Sequence, residues 1–285
     1  MSSSEHASML AFGICSQMSI SYGIAALKGR FPAQADGVAA VPSFTQMSPE
    51  MDIDYFAVSD GFFGSYAAKH LVGRLHVAIA KGIEDELVAD TPRFVECPDD
   101  VDGWWRKLVL DAFRVVDDEL VASVRSGMPA GSPAVVALVT KDYLVITSRG
   151  ATCKAVIYSN EEVMPVQLTS ERRPEPYKQK EQENVQDTGG HVVGSSCNQE
   201  DNILFRPYFP KPGVLMVERK PQDKFLILAT GGLWDHVSSA EAGSFIKTRL
   251  HTSSLDILAK ELAELAMGKG SLGNVTVVII LFNNF

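Results

Sequence analysis

The segment Tyr55-Phe56-Ala57-Val58-Ser59-Asp60-Gly61-Phe62-Phe63-Gly64-Ser65 decides how this chain folds. Its apolar first half predicts a buried strand, Asp60-Gly61 predicts a tight turn, and the residues from Tyr66 onward predict the start of a helix. An aspartate at the end of a buried strand can face a metal ion or a substrate. The alternative interpretation is that Asp60 serves only the turn.

Strand and helix patterns surround this segment on both sides. Upstream, Ile20 to Leu27 predicts a first strand, and residues 36–51 predict a loop or a short pair of strands. Downstream, apolar residues at helical spacing predict helices over residues 62–88 and 101–125. Residues 1–18 are rich in Ser and Met, and we treat them as an N-terminal tail to which no helix or strand is assigned.

The second half of the chain is predicted to be mainly strand, with two adjacent hairpins that favour antiparallel sheets. Two antiparallel sheets with helices on both sides fit the order of the elements. Residues 170–205 are highly charged and predict a surface segment. The two hairpins are predicted over Ala134–Thr140 with Tyr143–Thr147, and over Lys154–Tyr158 with Val163–Leu168. Further strands are predicted over Val214–Glu218, Phe225–Ala229 and Val275–Phe282. One helix is predicted to begin at Ser238, which forms a capping box with Glu241, and another is predicted over Leu255–Met267.

Four other segments accompany Asp60-Gly61 in a fixed order along the chain. They are Gly29-Arg30-Phe31-Pro32-Ala33-Gln34-Ala35-Asp36, Gly131-Ser132-Pro133-Ala134, Phe225 to Asp235, and Gly273 to Ile280. Together the segments resemble the motif series of the PP2C family of metal-dependent serine/threonine protein phosphatases, and most of all its plant members. The resemblance implies an α+β fold, a four-layer α/β/β/α sandwich of two antiparallel sheets flanked by helices. We expect a single PP2C-like domain over residues 19–285.

In that family, carboxylates between the two sheets hold two divalent cations, and a bridging water attacks the phosphorus. The resemblance implies that Asp60, the carbonyl of Gly61 and Asp36 correspond to metal ligands. Three other ligand positions carry side chains without oxygen, Ala35, Gly231 and Gly273. Because paired dications need dense negative charge, we expect no resident cofactor and only weak binding of Mg²⁺ or Mn²⁺.

Other parts of the family's site differ as well. The position of the arginine that holds the substrate phosphate is Phe31, although the adjacent Arg30 is a candidate phosphate-binding residue. The position of the histidine proposed as general acid is Phe62. The second aspartate of the family's Asp-Gly-Leu-Trp-Asp motif is kept as Asp235, which we interpret as part of the start of the following helix. No residue is therefore assigned a catalytic role.

These replacements predict a catalytically inactive pseudophosphatase that acts as a protein-interaction or regulatory module. Its expected partner is a protein, with a phosphoprotein or a kinase as candidates. One alternative is a weak or altered phosphatase that uses Asp60 and Asp36 with one metal ion and Arg30. Another is a competitor that occupies the substrates or regulators of active relatives through residues 170–205 or through Phe62-Phe63.

The composition sets outer limits on function. A net charge of -9 without a Lys/Arg block argues against nucleic acid or an anionic membrane as partner. The apolar run from Val275 to Phe282 is too short to span a bilayer, and the N-terminus does not have the pattern of a secretory signal. The four cysteines have no CxxC spacing, so we expect reduced thiols and a cytoplasmic or nuclear location, or both.

Overall fold

The computed structural model describes residues 8–15, 20–45, 52–61, 65–88, 100–123, 132–160, 164–169 and 211–282. The strands are β1 (Ser8–Cys15), β2 (Ile20–Leu27), β3 (Gly37–Val41), β4 (Asp54–Ser59), β5 (Ala134–Val139), β6 (Tyr143–Arg149), β7 (Lys154–Ser159), β8 (Val166–Gln167), β9 (Gly213–Glu218), β10 (Asp223–Ala229) and β11 (Val275–Phe282). The helices are α1 (Ser65–Val88), α2 (Val101–Ser123), the one-turn α3 (Gly231–Trp234), α4 (Ser239–Arg249) and α5 (Leu255–Gly268).

The strands form two antiparallel sheets. The first sheet has six strands in the order β1-β2-β11-β10-β7-β8, and the second has five in the order β3-β4-β5-β6-β9. Every described strand pair is antiparallel, as the two adjacent hairpins predicted. Strand β4, which carries the deciding segment, is buried along its whole length between β3 and β5.

Three apolar cores hold the layers together. One lies between the two sheets and contains Tyr22, Phe56 and Leu228. A second joins the outer face of the first sheet to α4 and α5, and a third joins the outer face of the second sheet to α1 and α2. The result is the four-layer α/β/β/α sandwich expected from the sequence.

The N-terminal region differs from the expectation. Strand β1 pairs with β2 from Ser8↔Leu27 to Cys15↔Ile20, and the sequence pattern did not predict this strand. The reason is that backbone pairing with the outer edge of β2 orders a short apolar stretch, which the Ser- and Met-rich average over residues 1–18 concealed. The wider division into a tail and one domain stays a prediction.

The other element bounds agree with the sequence to within a few residues. The loop or short pair of strands expected over residues 36–51 contains strand β3, which pairs with β4. Helix α4 begins as predicted, because the Ser238 hydroxyl accepts a hydrogen bond from the Glu241 amide. Residues 62–64 and the segment 170–205 lie outside the described ranges. No described helix is long and apolar enough to cross a membrane.

Candidate functional site

The carboxyl group of Asp36 lies where four chain segments meet. Its Oδ1 accepts a hydrogen bond from the Gly61 amide at 3.1 Å. Its Oδ2 accepts hydrogen bonds from the hydroxyls of Thr230 at 3.1 Å and Thr276 at 2.8 Å. Thr230 and Thr276 belong to the first sheet's β10–α3 junction and β11, whereas Gly61 follows β4 of the second sheet. Asp36 therefore ties the two sheets together.

Burial controls the ionisation of Asp36. The side chain is almost inaccessible to solvent, and this burial, together with the nearby charge of Asp60, raises its pKa to about 6. The hydrogen bonds from Gly61, Thr276 and Thr230 act in the opposite direction, since they stabilise the charged form. The neutral donors around Asp36 thus do not fully compensate its charge.

Asp60 sits on a turn that its own backbone fixes. The Asp60 amide donates a hydrogen bond to the Pro133 carbonyl at 2.8 Å, and the Asp60 carbonyl accepts one from the Ser132 hydroxyl. The Ser59 hydroxyl also donates to the Pro133 carbonyl at 3.0 Å. These contacts hold the end of β4 against the start of β5, with the Asp60 side chain half-buried.

The glycine after Asp60 allows the turn to approach the loop that carries Asp36. A Cβ atom at Gly61 would lie 2.1 Å from the carbonyl oxygen of Ala35, a distance that no side chain tolerates. Gly61 therefore has a packing role that does not depend on a metal ion.

Two of the three positions without an oxygen ligand, Gly273 and Gly231, have room for a larger side chain. A Cβ atom at Gly273 would meet nothing within 4 Å. At Gly231, it would lie 3.3 Å from Cβ of Thr152 and 3.6 Å from Oδ2 of Asp235, which a small adjustment would relieve. Ala35 is half-buried beside Asp36. Packing alone does not exclude carboxylates from the two glycine positions.

The family model described as Protein phosphatase 2C matches residues 20–275, which is most of the chain. The chain belongs to the protein phosphatase 2C family.

Plant members of the family are among its relatives. Protein phosphatase 2C 77 of Arabidopsis thaliana is 26% identical over 310 residues, covering 91% of this chain and 70% of the relative. Protein phosphatase 2C 53 of Oryza sativa subsp. japonica is 27% identical over 323 residues, covering 91% of this chain and 69% of the relative. The plant relationship expected from the motifs is confirmed.

Solved structures agree on the fold. A serine-threonine phosphatase 2C from Toxoplasma gondii superimposes with a TM-score of 0.69 at 19% identity, covering 98% of this chain and all of the other. A C. elegans sex determining protein gives a TM-score of 0.70 at 20% identity, covering 92% of this chain and 64% of the other.

The described side chains of this PP2C-family protein do not fit a paired-metal centre. Among the residues that the structure describes, no group of three or more His, Cys, Asp or Glu side chains is placed to hold a metal ion. Asp36 already uses both carboxylate oxygens within the protein. Two cations roughly 4 Å apart need several carboxylates between and around them, and Ala35, Gly231 and Gly273 supply none.

The other predicted site residues lie on loops of the same region as Asp36 and Asp60. The Arg30 side chain is exposed, and Phe31 is 55% exposed. Asp235 is exposed, and its amide donates to the Gly231 carbonyl, so it ends α3 and lies before the start of α4 at Ser239. Phe62 lies outside the described ranges, and none of these residues has a described contact with the Asp36 carboxyl group.

The sequence did not reveal the residues that partner Asp36. Thr230 directly follows β10, and Thr276 is the second residue of β11. A hydroxyl side chain at each of these strand ends was the sequence feature that could have indicated a partner for Asp36. Cys153 was interpreted only as a reduced thiol, yet it is buried near this site, with Sγ 3.4 Å from the Pro133 carbonyl oxygen. Burial and the charges of Asp60 and Asp36 raise its pKa well above the usual value, which disfavours the reactive thiolate.

Proposed function

We propose that this PP2C-family chain is a pseudophosphatase, a protein-interaction or regulatory module that keeps the phosphatase fold without its two-metal chemistry. The observation that carries the proposal is the state of Asp36. Two hydroxyls and an amide occupy its carboxylate oxygens, and burial raises its pKa to about 6. These three hydrogen bonds take three of the about four acceptor positions of a carboxylate, so Asp36 has at most one position left for a cation.

The missing carboxylates support the same proposal from the side of electrostatics. A metal pair lowers the pKa of its bound water and neutralises the phosphoryl oxygens, and these effects supply most of the rate of metal-dependent hydrolysis. Asp60 with Asp36 gives at most two of the required anionic ligands. The chain's own groups at this site therefore hold the turn and the sheets together, and we assign none of them a proton transfer.

A weak metal-dependent phosphatase is the second candidate. It is favoured by one observation, the electrostatic proximity of Asp60 to Asp36, which raises the pKa of Asp36. A single divalent cation between the two aspartates would relieve that repulsion. This candidate requires that Mn²⁺ raise the melting temperature of the chain, and that the rise disappear in Asp60→Ala.

The decisive experiment adds the missing ligands. We would compare the wild type with the triple variant Ala35→Glu, Gly231→Asp, Gly273→Asp, measuring thermal stability across a Mn²⁺ titration and hydrolysis of a phosphopeptide. A control triple variant places the same three acids at exposed helix positions, Ala240→Glu, Gly73→Asp and Gly268→Asp.

The proposal expects a wild type with no Mn²⁺-dependent stabilisation and no turnover above that of Asp60→Ala. The ligand-restored variant should gain stabilisation of about 2.7 kcal/mol when free Mn²⁺ is 100 times its dissociation constant, whereas the control variant should gain none. Wild-type turnover that disappears in Asp60→Ala would overturn the proposal.

A further inference from the structure

The two loops that carry Ala35 and Gly273 are fixed to each other by backbone contacts. We call residues 28–35 and 271–274 the two-loop platform. The Arg30 amide donates to the Leu272 carbonyl at 2.9 Å, and the Gly29 amide donates to Oδ1 of Asn274 at 3.1 Å. A Cβ atom at Gly29 would lie 2.2 Å from the Gly273 carbonyl oxygen, so the two backbones are in direct contact.

The buried side chain of Asn274 adds a further connection. Its Nδ2 donates to the Ala33 carbonyl at 3.3 Å, so this one residue bonds to two points of the first loop. Gln34 links the same loop back to β2 by donating to the Leu27 carbonyl at 3.1 Å. Hydrogen bonds therefore hold the backbones of the two platform loops in place.

This fixed surface presents two large apolar side chains to solvent. Phe31 is 55% exposed and Leu272 is 51% exposed. The backbones that carry them are adjacent, because Phe31 follows Arg30, whose amide donates a hydrogen bond to the Leu272 carbonyl. Single exposed apolar residues are common on protein surfaces. An exposed aromatic and an exposed leucine on two loops that are hydrogen-bonded to each other are more typical of the residues that anchor a protein–protein interface.

The charges of the platform indicate what the partner presents. Lys28 and Arg30 flank the apolar pair, and neither forms an ion pair with a described acidic residue. The exposed carboxylate of Asp235 lies on the adjoining turn, since a Cβ atom at Gly232 would lie 2.1 Å from the Asn274 carbonyl oxygen. The two cations of the platform suit a partner segment that presents a carboxylate.

Resting on the proposed function, we propose that the two-loop platform docks a segment of a partner protein that carries an apolar side chain next to an Asp or Glu. The apolar side chain packs on Phe31 and Leu272, and the carboxylate pairs with Arg30 or Lys28. The net charge of -9 disfavours a second copy of this chain and an anionic membrane as occupants.

The test is a selection from a displayed library of random unphosphorylated peptides against the full chain, without added metal. Recovered peptides are synthesised and their dissociation constants measured for the wild type, for Phe31→Ser with Leu272→Ser, and for Arg30→Glu. The matched control is Val115→Ser with Ile257→Ser, which removes apolar side chains of similar exposure, 50% and 45%, from α2 and α5.

The proposal expects the recovered peptides to have an apolar residue beside an acid. Their dissociation constants should be at least about tenfold higher for the platform double variant and for Arg30→Glu than for the wild type, and unchanged for the control variant. Replacing the peptide's acid with Lys should restore binding to Arg30→Glu. The proposal is overturned if no peptide is enriched, if the recovered peptides do not place an acid beside an apolar residue, or if their binding is unaffected by the platform variants. Because this readout needs neither metal nor turnover, it stands apart from the test of the proposed function.

Discussion

Replacing Asp36 with Asn should remove a defined part of the pH dependence of stability. Asparagine keeps the shape of the side chain, its oxygen can accept the Gly61 hydrogen bond, and the hydroxyls of Thr230 and Thr276 can turn to accept from its amide. In the wild type, the folded pKa is about 6 against an ordinary value of 3.8. The folded state therefore holds the proton more tightly than the unfolded chain between these pH values.

The direction and size of the effect follow from this difference. Because the folded state binds more protons than the unfolded chain between about pH 4 and pH 6, the contribution of Asp36 to the free energy of unfolding falls as pH rises from about 4 to about 6. Below and above this range the contribution of Asp36 is constant. One pKa unit corresponds to about 1.4 kcal/mol, so raising the pKa from 3.8 to about 6 corresponds to a loss of about 3 kcal/mol. The asparagine variant has no titrating group at this position and should not show this loss.

Urea denaturation followed by tryptophan fluorescence, at several pH values from 4 to 8 in the presence of EDTA, measures the effect. The wild-type free energy of unfolding, minus that of Asp36→Asn, should decrease by about 3 kcal/mol across the window. The exposed Asp235→Asn is the control, and its difference from the wild type should be nearly constant.

A constant difference for Asp36→Asn, or one that increases with pH, would refute the reasoning. An increase would mean that the fold stabilises the ionised carboxylate, as a bound cation does. Repeating the series with millimolar Mn²⁺ in place of EDTA separates these cases, since a metal ligand would then reverse the sign of the slope.

Four other substitutions test the packing around the site and the core. Gly61→Ala should destabilise the fold by at least about 2 kcal/mol, because its Cβ atom would lie 2.1 Å from a backbone oxygen, whereas Gly73→Ala, in an open part of α1, should stabilise it by about 0.5–1 kcal/mol; denaturation measures both. Arg149→Met should cost about 3 kcal/mol in the same assay, because it leaves Asp117, whose Oδ1 is 2.6 Å from the buried Arg149 guanidinium, without its partner. Asn274→Ala should increase amide hydrogen exchange in residues 28–35 while exchange in α5 stays unchanged, because the loop loses two hydrogen bonds.

Periodicity in the sequence was enough to predict the layers. Val275–Phe282 is apolar at almost every position and forms a strand buried in the first sheet. The apolar positions of residues 101–125 fall on one face of α2, with Trp105, Val109 and Phe113 in the core. Such patterns survive in the structure because burial acts on each element separately. Strand β1 was missed because its order depends on pairing with β2 rather than on a pattern of its own.

The candidate site could be predicted only in part. The family motifs indicated Asp36 and Asp60, and the structure brings their charges close enough to interact. The hydroxyl partners were not predictable, since the hydrogen bonds that Thr230 and Thr276 donate to Asp36 join residues 194 and 240 positions apart. A threonine at a strand end has the same local pattern whether it bonds to a carboxylate or to water. The pairing becomes visible only once the sheets are assembled.

The position of β11 between β2 and β10 bears on how this protein is made. The middle of the first sheet cannot be completed until the residues up to Phe282 have left the ribosome, because β11 is its last described strand along the sequence. Until then β2 and β10 each keep an unpaired edge, which other chains can join. Nascent or truncated forms that end before Val275 should therefore depend on chaperones and aggregate, even though every other described strand is already present.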